Sequence, residues 1–98
     1  MYIGVARLEL SFPEATDLKG KRRVLRSIKD RLRDKFNVSV AEVGGLDYHQ
    51  RGTIGIVVAS NDGRFCDSVI QEAIGLVESV RDALVLDVAT EVTTVLQA

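Results

Sequence analysis

"FNVSVAEVGGLDYHQRGTIGIVVAS", residues 36–60, holds two strand-like runs with no helix between them. In the first run Val38 and Val40 alternate with polar neighbours, which is the two-residue period of a half-buried strand. In the second, at 53–60, Ile54, Ile56 and Val58 alternate with Thr53, Gly55 and Val57, and the run is apolar enough to be central in a sheet. Asn37 breaks the chain before the first run. GGLDYHQRG, residues 44–52, is a long hairpin connection in which Gly44 and Gly45 supply free backbone angles. Two successive strands form an antiparallel pair, so the elements on either side decide the fold.

Upstream lies LKGKRRVLRSIKDRLRDKF, residues 18–36. Leu18, Leu25, Ile28, Leu32 and Phe36 fall on one helical stripe, with Val24 at its margin. Asp17 is a good N-cap, since its carboxylate can accept from an orphan backbone N–H. Gly20 stands where a full capping box would want Glu, so only half the box is present. Before the helix, YIGVARLELSF at 2–12 alternates Leu8, Leu10 and Phe12 against Arg7, Glu9 and Ser11, and Pro13 ends the strand. Downstream, Asn61–Gly63 turns the chain and can cap a second helix over 64–80, with Cys66, Val69, Ile70, Ala73, Val77 and Val80 at helical spacing. Its outer positions Asp67, Glu72 and Glu78 are acidic. A long strand follows over 83–97, with Leu84, Leu86, Val88 and Val92 on one face and Asp87, Glu91 and Thr93 on the other.

The order β-α-β-β-α-β is the split arrangement of a ferredoxin-like sandwich, an α+β fold. Right-handed crossovers put both helices on one face of a four-stranded antiparallel sheet. Residues 1–98 are expected to form one such domain. The other sheet face is expected to hold Ile3, Val5, Arg7, Glu9, Thr53, Gly55, Val57, Val85, Asp87 and Ala89. It is apolar near its centre, and an open apolar face is expected to be covered by a second copy, making a homodimer.

Several classes are disfavoured. A single cysteine, Cys66, rules out an internal disulfide and a cysteine-rich metal site, so it reads as a buried inert thiol. No apolar run approaches the roughly 18 residues that span a bilayer, and the first residues lack a basic leader, so a cytoplasmic protein without a membrane partner is expected. No spacing suggests a metal site, and no cofactor is expected. An enzyme would have to be built on Asp47, His49 and Arg51 with Glu42 nearby; a lone His in a glycine-flanked loop is a weak base candidate, so catalysis is not the leading reading.

Charge carries the strongest signal. Residues 18–36 hold nine bases and two acids, net +7, and the rest of the chain holds four bases and twelve acids, net −8. The total of −1 hides a strongly dipolar sequence that can attract phosphate locally. The candidate RNA-binding residues are Lys19, Lys21, Arg22, Arg23, Arg26, Lys29 and Arg51. Tyr48, His49 and Gln50 are loop candidates, Tyr48 and His49 offering flat rings that can stack a base. Lys21 is the exception among these bases, because it lies on the apolar stripe in the first turn. The opposing reading is a solvated helix face, with Asp30 pairing Arg26 or Arg33, Asp34 pairing Arg31, and the acidic second helix absorbing charge.

DLKGKRRVLRSIKDRLRDKFNVSVAEV followed by DYHQRGTIGIVVASND resembles the YlxP-like family, bacterial proteins with a domain of unknown function. The resemblance rests on Leu18, Lys19, Lys21 and Arg22, on Phe36 to Glu42, and on Gln50 and Arg51. It implies a compact ferredoxin-like fold and no established activity. Family members look like neighbours of translation and ribosome-maturation genes, which implies an RNA-linked role by association. Asp17 and Gly20 depart from the family's Ser and acidic residue, and His49 stands where many members have Trp. The expected function is therefore a non-catalytic module that touches structured RNA or the ribosome through the basic helix. The alternative is a homo-oligomeric interaction or small-ligand regulatory domain using the open sheet face.

Overall fold

The computed structural model describes residues 1–97. Its elements are β1 (Tyr2–Ser11), α1 (Leu18–Lys35), β2 (Ser39–Gly44), β3 (Arg51–Ser60), α2 (Gly63–Glu78) and β4 (Leu84–Thr94). The strands form one antiparallel sheet in the order β2-β3-β1-β4. Both helices pack on one face, giving the ferredoxin-like sandwich that the element order implies.

The alternating residues explain the layering. Ala6, Leu8 and Leu10 of β1 and Ile54, Ile56 and Val58 of β3 point under the helices and are buried. Leu25, Ile28 and Leu32 of α1 meet them, as do Cys66, Val69, Ile70, Ala73, Ile74 and Val77 of α2. Both helices start on an aspartate. Asp17 Oδ1 accepts from the Gly20 N–H at 2.7 Å, and Asp62 Oδ1 accepts from the Arg64 N–H at 2.9 Å. Phe36 caps the end of α1 in extended backbone, so β2 starts at Ser39 and not at residue 36. Of the two loop glycines, Gly45 alone has a positive φ (69°); Gly44 belongs to the strand.

One strand departs from the alternation. β1 and β4 pair Glu9 with Asp87, then Leu10 with Val85, leaving Leu86 as an extra residue. A bulge of this kind inverts the parity beyond it. Val85 therefore lies on the Leu10 side and packs at the margin of the core, so it is not part of the open face. Leu84 and Leu86, expected to point inward, are exposed. Val88 and Val92 share the helix side with Leu8 and Gly4, yet they too are exposed. Apart from Val85, the whole of β4 is exposed.

Candidate nucleic-acid interface

α1 is positioned by a buried cation. Lys21 is fully buried in the first turn of the helix, on the same side as Leu25 and Ile28. Its Nζ donates to the Gly45 carbonyl at 2.8 Å and to the Arg51 carbonyl at 3.0 Å. It also stands 2.8 Å from Glu42 Oε2, whose side chain is itself largely buried. That third contact falls outside hydrogen-bond alignment, so it is mainly Coulombic. An ammonium has three donors, and three oxygens converge on this one. Gly52 makes room for the arrangement, since a Cβ there would sit 3.3 Å from both Glu42 Oε2 and the Phe12 ring.

Lys21 is therefore removed from the exposed set proposed to meet phosphate: it is desolvated and its charge is spent internally. Its work is to hold the 45–51 loop against the start of α1. Gln50 helps, accepting from the Phe12 N–H through its backbone carbonyl at 3.0 Å and reaching the Ala15 carbonyl through Nε2 at 3.4 Å. Gln50 thus acts at least partly as a tie within the fold. Tyr48, His49 and the Arg51 side chain are exposed on this anchored loop.

The remaining candidates stay outside. Lys19, Arg22, Arg23 and Arg26 are exposed and Lys29 is half-buried. Their helical spacing divides them. Arg22, Arg26, Lys29 and Arg33 form one stripe at i, i+4, i+7 and i+11, about 16 Å long. Arg33 donates to the Val40 carbonyl at 3.0 Å, which places the stripe on the flank facing β2. Lys19 and Arg23 lie further round, by a shallow depression that also contains Glu14, Asp17 and Asp82. Arg31 and Lys35 face α2 across a groove with Asp34 and Glu72.

The ion pairs that would neutralise the helix are not formed. Among the described residues, the salt bridges are Lys21–Glu42 and a long Arg7–Glu9 contact of 3.9 Å. Asp30 does not pair with Arg26 or Arg33, nor Asp34 with Arg31, and α2 supplies no partner within bridging distance. The sequence spacing permits these pairs, but exposed side chains gain little by forming them.

The constellation Asp47, His49, Arg51 and Glu42 is not assembled, because the Glu42 carboxylate turns inward to Lys21. The Lys21–Glu42 pair is not among the pairings expected from the sequence. A signal existed: Glu42 shares the inward parity of Val40, and Lys21 sits on an apolar stripe. Two opposite charges, each on a buried face, point to one another.

The open sheet face is less apolar than expected. Ile3, Val5 and Val57 form its apolar end, with Val43 lying over Gly55. At the other end Thr53 Oγ1 donates to Glu9 Oε2 at 2.6 Å beside Arg7, and Val85 has left the face. No helix among the described residues is long and apolar enough to cross a membrane.

A family model described as a protein of unknown function (DUF503) matches residues 3–90. The uncharacterized protein YlxP of Bacillus subtilis is 36% identical over 77 residues, covering 79% of this chain and 84% of that one. Among solved structures, a de novo designed protein with a ferredoxin fold superposes with a TM-score of 0.53 at 13% identity, over all of this chain and 90% of that one. A dimeric ferredoxin-like protein from an uncultured marine organism gives a TM-score of 0.45 at 15% identity, over all of this chain and 91% of that one.

Proposed function

The chain belongs to the DUF503 family of proteins of unknown function, and from that premise we propose that it is a non-catalytic module that docks on structured RNA, ribosomal RNA included, through the exposed cations of α1. One observation carries this reading: Arg22, Arg26 and Lys29 run along one flank of α1 with no ion-pair partner among the described residues. The Lys21 clamp sets the Arg51 backbone against the same end of the helix, so the exposed Arg51, Tyr48 and His49 extend that flank. The set is rich in charge and poor in amides that read base edges. Phosphate contact, indifferent to sequence, is what it can make. Such contact releases counterions, so log affinity falls against log salt by about 0.7–0.9 per phosphate engaged.

The test is a filter-binding titration of ribosomal RNA across a salt series, with the parent and the triple variant Arg22→Glu, Arg23→Glu, Arg26→Glu. The parent retains RNA with a steep salt slope. The variant, folded by circular dichroism, loses retention. Equal retention by both would remove α1 from the functional account. Self-association through the open sheet face is the second reading, favoured by the exposed Val57 and Val43. It forecasts that Val57→Lys turns an oligomer into a monomer, because a charge in a desolvated patch is costly.

A further inference from the structure

β4 is an edge strand of eleven residues with every position but Val85 exposed, and nothing among the described residues covers its free side. Which backbone groups face outward follows from the ladder. The Val95 N–H donates to the Met1 carbonyl at 2.9 Å, which makes that pair, and every second pair from it, the bonded ones between β1 and β4. Thr93, Glu91 and Ala89 thus spend their N–H and C=O on β1. Val88, Thr90 and Val92 aim theirs at solvent, and their side chains lie on the helix side of the sheet, where Val88 and Val92 remain 36% and 38% exposed. β4 holds neither lysine nor proline, and its two charges, Asp87 and Glu91, lie on the open face opposite Glu9 and Val5, so the helix-side row of Val88, Thr90 and Val92 leaves this long edge a pairing template.

We infer that a second copy of this chain pairs antiparallel along β4, Thr90 opposite its counterpart, joining the two sheets into one of eight strands. A two-fold axis normal to the sheet keeps both helix layers on one side and allows only registers that pair even with even positions. Charge, the bulge and the end of the strand choose among these: Val92 opposite Val92 would set Val88 against Leu96, beyond the last strand residue Thr94. Ala89 opposite Ala89 would set Asp87 against Glu91 twice, and Glu91 opposite Glu91 or Asp87 opposite Asp87 would oppose like charges directly, which destabilises a pair. Val88 opposite Val88 avoids that but runs pairing across the extra residue Leu86, where the strand is irregular. Thr90 opposite Thr90 keeps to the regular stretch 87–93. It sets Val88 against Val92, Ala89 against Glu91 and Asp87 against Thr93. The two exposed valines of each copy then cover those of the other, which is why the occupant is this same strand. The proposal does not rest on the RNA reading.

The test is the mass of the full chain in solution together with oxidative cross-linking. The parent is expected at twice the 10.7 kDa chain mass. Thr90→Pro removes a donor that points away from β1, so it leaves the fold in place and yields a monomer. Thr90→Cys is expected to cross-link between copies, because Cα atoms of a bonded antiparallel pair lie about 5.5 Å apart, within disulfide reach. Ala89→Cys, out of register, is not, and the buried Cys66 does not compete. If Thr90→Pro fails to fold, the two cysteine variants decide alone. A parent that stays monomeric at high concentration overturns the proposal. So does a dimer that survives Thr90→Pro but not Val57→Lys, which would put the second copy on the sheet face, and so does cross-linking through Ala89→Cys in place of Thr90→Cys.

Discussion

The two edges of the sheet are held in opposite ways. At the β2 edge, two basic side chains of α1 reach over to backbone oxygens: Lys21 to Gly45 in the hairpin loop and to Arg51 at the start of β3, Arg33 to Val40 within β2. At the β4 edge no side chain of the described residues closes the row, and the valines on the helix side stay half open to water. The same helix that presents cations to solvent thus spends some of them on fastening its own sheet. Charge count alone does not separate these two uses; burial does. Lys21 is a structural cation and Arg33 is tied to Val40, whereas Arg22, Arg26 and Lys29 have no ion-pair partner among the described residues and form a narrower stripe once Lys21 is set aside.

The largest expected effect breaks the fastened edge at its buried point. Lys21→Ala leaves Glu42 desolvated without its counter-charge and two carbonyls without a donor. Removing one partner of a buried pair costs roughly 3–5 kcal/mol, so a urea unfolding midpoint should fall sharply. Replacing both charges, with Lys21→Met and Glu42→Leu together, should recover much of that loss, because the apolar pair needs no compensation. A double variant no more stable than Lys21→Ala would show that the carbonyl contacts, and not the ion pair, carry the clamp.

A smaller effect is expected where the same edge is fastened at the surface. Arg33→Ala removes one hydrogen bond to Val40, and the guanidinium is exposed, so the loss should be near the low end of the usual range, about 0.5–1 kcal/mol. Amide exchange gives the sharper readout: protection should fall in β2 before it falls in β3 or β1. Uniform loss across the sheet would mean that Arg33 supports the core rather than the edge.

Most of the architecture is legible in the residues. The parity of Leu8 and Leu10, the parity of Ile54 and Ile56, and the stripe of Leu25, Ile28 and Leu32 each specify a buried face, and two strands in succession force the split order. The bulge at Leu86 is not legible, because Val85 and Leu86 are both apolar and a one-residue slip leaves no mark in composition. The site is legible in part. The exposed arginines follow from the helical stripe, whereas the Lys21–Glu42 clamp needs two inward parities to be combined across the chain. The exposure of β4 is not legible either. Apolar residues at strand spacing read as core whether or not a second layer arrives to cover them.

The smallest effect on stability should come from the open edge. Thr90→Lys places a charge on an exposed strand position whose backbone groups already face water, so a dilute monomer should change by no more than about 0.5 kcal/mol. The informative quantity is the dependence on concentration. If β4 pairs with a second copy, association binds the folded state alone, and the parent's thermal midpoint rises with protein concentration. A lysine at the centre of that pairing removes the dependence, since two like charges would then face each other across the two-fold axis. The parent and Thr90→Lys should therefore melt together at high dilution and separate as concentration increases. Parallel curves at every concentration would leave β4 as a solvated edge. Curves that differ even at high dilution would assign Thr90 a role inside the monomer that its exposure gives no reason to expect.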